Sequence, residues 1–273
     1  MPHQLFVKNF LSKNTPYNSI LLYHGLGSGK TCSAIGIAEE MRATMKQTGS
    51  NQRIMVIAST NVQDNFRLQL FDERKLGNRS IESCIGSSLL REINPTNDTS
   101  VDKDKIIMQA NSIINASYSF MGYMQLANYI QNKVIVKTAD YTDKQRRDME
   151  IANIKRIFNN RLIIIDEVHN IPGKTVAPLL LYVAKHADNL RFVLLSATPM
   201  YNSVEEIIYL TNLMNINDGR PTIKPSEVFD MQTGQMTADG RKLLQKRLNG
   251  YVSYVRGENP YTFPFRLYPD VFE

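Results

Sequence analysis

A glycine-rich segment supplies the first group of residues that could perform chemistry. It has the sequence His24-Gly-Leu-Gly-Ser-Gly-Lys-Thr31, and it lies between an apolar run and a segment of helical period. Its three glycines let backbone amides turn toward phosphate oxygens, and the following helix adds its positive N-terminal dipole. Lys30 would neutralise the β and γ phosphates, and Thr31 would hold Mg²⁺ through its hydroxyl. The segment predicts a nucleotide-phosphate site, although His24 stands where the usual pattern has its first glycine.

Two adjacent carboxylates form the second group. They lie in Ile163-Ile-Ile-Asp-Glu-Val-His169, where an apolar run ends. Asp166 can hold the water shell of Mg²⁺ while Glu167 polarises an attacking water, which suits phosphoanhydride hydrolysis. Alone, such a pair is more typical of a solvated loop. His169 is either a surface histidine or a sensor of the nucleotide that bonds the segment Ser196-Ala-Thr198.

The elements that must position these residues follow from hydrophobic periodicity. Short apolar runs predict strands, and segments of helical period lie between them. The alternation predicts an α/β, P-loop, RecA-like doubly wound and mostly parallel sheet with helices on both faces. Capping boxes are predicted at Ser203 and Thr142. Residues 77–104 are predicted to form a surface excursion, and a short helix is expected near Leu243 to Leu248. The predicted strands are Ser19–Tyr23, Arg53–Ile57, Lys133–Val136, Arg161–Ile165 and Leu190–Leu195, and the predicted helices include Thr31–Met41 and Ser203–Met214.

Composition limits the class of protein. The chain has 273 residues, of which 42% are hydrophobic and 21% charged, and this balance excludes collagen-like and low-complexity proteins. Its two cysteines, Cys32 and Cys84, suggest neither a disulfide framework nor a zinc site, so we expect reduced thiols in a reducing, cytosol-like compartment. No apolar stretch approaches the ~18 residues that would span a bilayer. We therefore expect a soluble protein without a membrane partner.

Positive charge is concentrated in two segments. The net charge is +6, and basic residues cluster in 133–161 and in 241–256. Such clusters indicate either a surface for a polyanion or ordinary solvated helix faces. The phosphate loop lies outside both clusters, so nucleotide binding does not account for them.

Together the three motifs resemble those of superfamily 2 helicases and translocases, in the first RecA-like domain with its DExH box. The similarity is closer to chromatin-remodelling ATPases and their relatives in large cytoplasmic DNA viruses, such as the poxvirus nucleoside triphosphatase and the ATPase subunit of the early transcription factor. The residues that carry it are His24–Thr31, Asp166–His169 and Leu195-Ser-Ala-Thr-Pro-Met-Tyr-Asn202. Residues 2–10 resemble the adenine-recognition segment of this family, and residues 58–61 resemble its loop that contacts nucleic acid.

The resemblance implies a set of site residues. Ser59 and Thr60 have the alternative of an ordinary strand-ending turn, and for the stretch Tyr118–Tyr123 we favour aromatic core packing over a nucleic-acid contact. The implied roles are catalysis by Lys30, Asp166 and Glu167; Mg²⁺ binding by Thr31 and Asp166; ATP binding by Gln4, Gly25, Gly27, Ser28, Gly29, Lys30, Thr31 and Cys32; coupling by His169, Ser196, Ala197 and Thr198; and nucleic-acid binding by Ser59 and Thr60.

Residues 1–215 are expected to form the RecA-like ATP-binding domain. Residues 216–273 are expected to form a short, mainly helical appendage leading toward a second RecA-like domain in cis, because the arginine-rich motif of that domain is not found after Thr198. The resemblance implies ATP hydrolysis, slow without that domain, coupled to nucleic-acid binding or movement in viral transcription or replication. Unwinding and translocation use the same motifs and are not distinguished.

The expected partners are nucleic acid, with DNA ahead of RNA, and viral RNA polymerase or other transcription proteins, in the host cytoplasm (viral factory) or the virion. The alternative is a RecA-like interaction module with a vestigial ATP site. The intact Lys30, Thr31, Asp166 and Glu167 argue against that decay. A nucleotide kinase or switch GTPase is disfavoured, because Asp-Glu-Val-His and Ser-Ala-Thr-Pro have no role in those mechanisms.

Overall fold

The computed structural model describes residues 2–255 apart from 13–14, 26, 77–83, 86–87, 97–100, 138–140 and 201–202. Several sequence predictions therefore fall outside the described residues. They concern Leu26 in the phosphate loop, parts of the 77–104 excursion, residues 201–202 after the Ser-Ala-Thr segment, and the appendage from Arg256 onward.

The described residues form one six-stranded sheet in which every strand pairing is parallel. The strand order is β3-β2-β4-β5-β1-β6. Because all strands run the same way, the residues that follow each strand lie along one edge of the sheet, which is where α/β folds bind ligands. The strands are β1 (Ser19–His24), β2 (Ile54–Ile57), β3 (Tyr118–Met121), β4 (Leu162–Ile165), β5 (Arg191–Ser196) and β6 (Val252–Val255).

Helices cover both faces of this sheet, as predicted. Successive strand residues point to opposite faces, so Leu21 and Ile163 lie in one buried cluster while Leu22 and Ile164 lie in another. Residues of α6 to α9 join the first cluster, and residues of α1, α2, α3 and α5 join the second. The helices are α1 (Pro2–Phe10), α2 (Lys30–Gln47), α3 (Thr60–Leu70), α4 (Ser88–Ile93), α5 (Lys103–Ser117), α6 (Tyr123–Lys133), α7 (Asp143–Phe158), α8 (Val176–His186), α9 (Val204–Asn217), α10 (Pro225–Val228) and α11 (Ala238–Leu248).

One predicted strand is absent. Residues 133–136 form no strand, because Lys133 ends α6 and Val134 packs into the core as the C-cap of that helix. The strand instead lies earlier, at β3, where Tyr118 and Phe120 stack with ring centroids 6.1 Å apart. The aromatic packing favoured for this stretch is also found, because Tyr118 is buried in the core and Phe120 packs against the same cluster.

The two predicted capping boxes differ in outcome. Thr142 caps α7 as predicted, since its hydroxyl accepts a hydrogen bond from the Gln145 N–H and the Gln145 side chain accepts one from the Thr142 N–H. Ser203 occupies the N-cap position of α9, but its side chain makes no capping hydrogen bond.

The expectation of reduced thiols is also wrong for this structure. Cys32, in the first turn of α2, forms a disulfide with Cys84, 52 residues later in the chain. The N–H of Cys84 donates to the carbonyl of Gln69 near the end of α3, at 3.3 Å, and α3 packs against α2. This packing brings together two thiols that the sequence does not connect. The disulfide also removes the basis for inferring a reducing compartment from cysteine usage.

Residues 216–255 pack on the same sheet. Within this part of the predicted appendage, α10 and α11 form a small hydrophobic cluster with α9, and β6 pairs with β1. The helix near Leu243 to Leu248 is confirmed as the second half of α11. Among the described residues, no helix is both long enough and apolar enough to span a lipid bilayer.

One basic residue of the first charge cluster is structural. Arg161 is only 8% exposed, and it donates hydrogen bonds to the main-chain carbonyls of Arg53 at 2.8 Å and Ile157 at 3.1 Å. Lys144 and Arg147 of the same cluster, in contrast, are exposed on α7. The surface charge of this segment is therefore smaller than its sequence charge.

Candidate nucleotide and nucleic-acid site

The phosphate loop lies between β1 and α2, with its glycines in conformations that favour glycine. Gly27 has φ 71° and Gly29 has φ 78°. A Cβ atom on Gly29 would lie 2.7 Å from the amide nitrogen of Gln4. The Ser28 hydroxyl donates to the Gly25 carbonyl at 2.6 Å, which closes the loop on itself. The positive φ angles explain why glycine is favoured at positions 27 and 29.

Helix α1 lies against this loop. The Gln4 side-chain amide donates to the Gly29 carbonyl at 3.4 Å, and His3 Nε2 is 3.0 Å from the Ser28 carbonyl oxygen. Gln4 is thus at the nucleotide site, while its contact with adenine stays a prediction. The sequence does not predict the contact that His3 makes with the loop, and only its position beside Gln4 indicates that it lies near this site.

His24 explains the departure from the usual glycine pattern. It ends β1 fully buried, with Nε2 2.9 Å from the Ser253 hydroxyl of β6 and its ring edge-on to His3. Burial, with the nearby His3 and Lys30, lowers the pKa of His24 to about 4. Its carbonyl accepts a hydrogen bond from the Lys30 ammonium at 2.8 Å. A neutral His24 is therefore buried next to the phosphate loop. The Lys30 side chain turns back toward the start of that loop.

The carboxylate pair follows β4. The Asp166 N–H donates to the Ile57 carbonyl of β2 at 3.0 Å, and the Asp166 carboxylate accepts from the Glu167 N–H at 2.9 Å. Glu167 has φ 43° and ψ 52°, the left-handed conformation that is uncommon for residues other than glycine. The hydroxyl of Tyr123, the first residue of α6, donates to the Asp166 carbonyl at 2.7 Å. Sequence reasoning placed Tyr123 in an aromatic core and missed this contact.

The Asp166 carboxyl lies in a strongly polar but partly desolvated setting. Burial raises its pKa, and the neighbouring Glu167 charge raises it further. The Glu167 N–H and the positive charges of Lys30 and His169 oppose that rise. A cation beside Asp166 would favour its ionised form by the same Coulombic effect.

His169 connects the carboxylate loop to the segment after β5. Its Nδ1 lies 3.0 Å from the Ser196 hydroxyl and 3.4 Å from the nearest Glu167 carboxylate oxygen. The Ser196 side chain also accepts a hydrogen bond from the Thr198 N–H at 3.0 Å. Ser196 is fully buried, Ala197 is half-buried and Thr198 is exposed. The structure thus brings together the residues predicted to couple hydrolysis to movement.

The predicted nucleic-acid loop lies at the same edge, after β2. Ser59 and Thr60 are exposed where α3 begins, and the Ser59 hydroxyl makes no capping bond. The Ala58 N–H donates to the Met121 carbonyl at the end of β3, at 3.1 Å, and the Gln63 side chain donates to the Ala58 carbonyl at 2.7 Å. Both hydroxyls are available to solvent on a loop held by main-chain bonds.

The residues present fit a nucleoside triphosphate with Mg²⁺. The glycines add no side chain of their own to the loop, and Lys30, Thr31 and Asp166 supply the ammonium, hydroxyl and carboxylate that such a ligand requires. In the described part of the chain, no three His, Cys, Asp or Glu side chains are placed to hold a metal ion.

Comparison with known proteins gives similar viral proteins. The mimivirus protein named "Putative ATP-dependent RNA helicase L377" (Acanthamoeba polyphaga mimivirus) is 30% identical over 281 residues, covering 97% of this chain and 23% of the relative. The early transcription factor 70 kDa subunit of Melanoplus sanguinipes entomopoxvirus is 26% identical, covering 93% of this chain and 31% of the relative. The chain thus spans less than a third of the length of these two relatives.

A solved structure supports the fold. The SWI2/SNF2 ATPase core domain of Sulfolobus solfataricus matches with a TM-score of 0.50 at 15% identity, over 93% of this chain and 42% of that chain. The family model described as the SNF2-related domain matches residues 3–255. With the phosphate loop, the Asp-Glu-Val-His segment and the Ser-Ala-Thr segment on one edge of a RecA-like sheet, the chain belongs to the SNF2-related domain family, within the superfamily 2 ATPases of the helicase and translocase type.

Proposed function

We propose that this chain is the ATP-binding and ATP-hydrolysing domain of a viral motor whose turnover is coupled to nucleic acid. One observation carries the proposal: the phosphate loop after β1, the carboxylates after β4 and the Ser-Ala-Thr segment after β5 follow three adjacent strands, and the hydrogen bond between His169 and Ser196 joins the last two segments. A glycine-rich turn alone would explain only phosphate binding. The hydrogen-bonded pair of segments adds a means to respond to hydrolysis.

Each residue has a distinct part in this proposal. The amides of residues 27–31 and the Lys30 ammonium bind the phosphates, and the Gln4 side chain reads the adenine base. Glu167 orients the attacking water and accepts its proton. Mg²⁺, held by Thr31 and Asp166, would neutralise charge on the phosphates when bound. His169 and Ser196 report the change to Thr198, because they already share one line of contacts.

Nucleic acid is the proposed polymer, bound first at Ser59 and Thr60. The family resemblance favours DNA, whereas the mimivirus relative is named as an RNA helicase, so both polymers belong in the assay. An arginine from a second RecA-like domain in cis would complete the site, and such arginines contribute about 10³-fold or more to related phosphoryl transfers. We therefore expect slow turnover by these 273 residues alone.

Viral transcription is the proposed setting. The partners in this proposal are viral transcription proteins, such as the RNA polymerase, in the host cytoplasm or the virion. The relative named as an early transcription factor subunit supports the transcriptional setting. The exposed basic residues of α7 and α11 would bind acidic surfaces of these proteins, or nucleic acid.

The test is single-turnover hydrolysis of ATP by excess protein, with Mg²⁺ and with or without DNA or RNA. Glu167→Gln should lower the rate constant by at least about 100-fold, because a positioned general base contributes about 10² to 10⁴. Binding of a fluorescent ATP analogue should stay within about twofold, because Glu167 acts on water rather than on the phosphates.

The matched control is Asp148→Asn, which neutralises an exposed carboxylate of α7. It should leave both rate and binding unchanged. Hydrolysis that survives Glu167→Gln would remove the proposed catalytic role. An unsubstituted chain that binds no ATP analogue with Mg²⁺ would instead indicate an interaction module with a vestigial site.

A further inference from the structure

The peptide group between Asp166 and Glu167 is held at both of its ends. Its carbonyl oxygen accepts the hydrogen bond of the Tyr123 hydroxyl at 2.7 Å, and its N–H donates to the Asp166 carboxylate at 2.9 Å. The orientation of this peptide sets the φ angle of Glu167. The two bonds therefore fix the direction in which the Glu167 side chain leaves the backbone.

Glu167 requires such restraint because its conformation is unfavourable. At φ 43° it lies in the left-handed region, where a Cβ atom crowds the following carbonyl oxygen. A residue persists there only when its surroundings over-determine it, and such residues concentrate at functional sites. Here the bond from Tyr123 comes from outside the loop, whereas the bond to the Asp166 carboxylate is made within it. Tyr123 is thus the external support of the strained residue.

Tyr123 is itself firmly placed. It begins α6, directly after Gly122, whose N–H donates to the Gln125 side chain at 2.8 Å. Its ring packs against the core, and the Lys174 ammonium lies 5.3 Å from the ring centroid. Burial, together with the charges of Asp166 and Glu167, raises the pKa of Tyr123 to about 12.

The corner after β3, which is the turn from Met121 to Tyr123, also contacts the loop after β2. Met121, two residues earlier, accepts the Ala58 N–H, and Ile57 accepts the Asp166 N–H. Asp166 is consequently anchored through its N–H to β2 and through its carbonyl to the corner after β3. This arrangement ties the catalytic loop to the chain segment that bears Ser59 and Thr60.

We propose that Tyr123 is a positioning residue for hydrolysis: its hydroxyl, through the Asp166 carbonyl, holds Glu167 in the left-handed conformation that directs the carboxylate toward the reacting water. This role rests on the proposed function of the site. It assigns Tyr123 no contact with ATP or with water.

Tyr123→Phe tests the role, because it removes one hydroxyl and keeps the ring. The expected result is a fall in kcat for ATP of about tenfold, the usual consequence of losing one hydrogen bond. KM for ATP should change by less than twofold, since Lys30 and the loop amides are untouched. The matched control is Tyr209→Phe, which removes a hydroxyl donating to the Ala177 carbonyl at 3.1 Å, away from the site.

Both variants should lose similar thermal stability, and rates are measured well below both unfolding temperatures. Equal kcat values for Tyr123→Phe and Tyr209→Phe would overturn the role, as would a rise in KM that accounts for the whole effect. If the unsubstituted chain hydrolyses ATP and Tyr123→Phe matches it, only the role of Tyr123 fails. If the unsubstituted chain hydrolyses no ATP, the proposed function fails and the role falls with it.

Discussion

Both halves of the site contain residues with positive φ angles, and the two halves accommodate these angles by different means. On the phosphate side, positive φ angles occur at Gly27 and Gly29, where the absence of a Cβ makes them inexpensive. On the hydrolysis side, a positive φ occurs at Glu167, whose carboxylate is the general base in the proposed function, a role that glycine could not fill. The backbone shape of the first half therefore follows from its glycine residues. The second half depends on hydrogen bonds from Tyr123 and Asp166.

Support for both halves comes from the outer strands of the sheet. Ser253 of β6 bonds His24 beneath the phosphate loop, and the corner after β3 supplies Tyr123 to the carboxylate loop. The candidate catalytic segments thus follow inner strands, and part of their support comes from residues at the two edge strands. Substitutions at the β6 edge, on the phosphate side, should lower the stability of the chain. Substitutions at the β3 edge, on the hydrolysis side, should lower the turnover of ATP.

The largest effect expected on the phosphate side is a dependence of stability on pH that comes from His24. Its pKa is about 4 in the folded chain and 6.5 ordinarily. Between these values the unfolded chain binds the proton and the folded chain does not, so stability should fall as pH drops from 6.5 to 4. The contribution is at most about 3 kcal/mol. His24→Asn should flatten this part of the curve of unfolding free energy against pH.

Ser253→Ala provides the control, because it removes the partner of His24 and retains the titrating ring. It should lower stability while keeping the slope between pH 6.5 and 4. A slope that is identical in the unsubstituted chain and in His24→Asn would show that His24 is not held neutral. The support of the phosphate loop by a buried ring would then have to be abandoned.

A smaller effect is expected from Gly29→Ala. The φ of 78° disfavours alanine, and the new Cβ would lie 2.7 Å from the Gln4 amide nitrogen. We expect a loss of about 2 kcal/mol in unfolding free energy. Affinity for an ATP analogue should fall about tenfold as the loop shifts.

The control is Gly36→Ala, at a position within α2, the helix that Gly29 caps, with open space around it. This substitution should instead stabilise the chain by about 0.5–1 kcal/mol. Equal stabilities for the two variants would contradict the glycine argument.

The sequence was sufficient to predict that three candidate segments share one edge of the sheet. The phosphate loop, the Asp-Glu-Val-His segment and the Ser-Ala-Thr segment each follow a predicted strand, and the carboxyl ends of parallel strands lie at the same edge. The mostly parallel sheet with helices on both faces followed from the same alternation, and the structure confirms it.

The supporting residues could not be predicted in this way. Ser253 and Tyr123 act because β6 and β3 lie at the two outer positions of the sheet, and strand order is a property of tertiary packing. The bond between Cys32 and Cys84 depends likewise on how α3 packs against α2. Even the unusual His24 gave no indication of its partner, which lies 229 residues later.

The smallest effect compares two substitutions of Glu167 and isolates the strain at that residue. Glu167→Ala removes the carboxylate and keeps a Cβ at φ 43°, whereas Glu167→Gly removes both. Both should abolish hydrolysis, yet the glycine variant should be the more stable by about 1 kcal/mol in denaturant unfolding. This order is the reverse of that expected at a helical position, where alanine is favoured. Equal stability of the two variants would mean that Glu167 is unstrained, and the hydroxyl of Tyr123 would then have no strain to oppose. The predicted order would instead indicate that the site keeps a residue that lowers stability because hydrolysis requires its carboxylate.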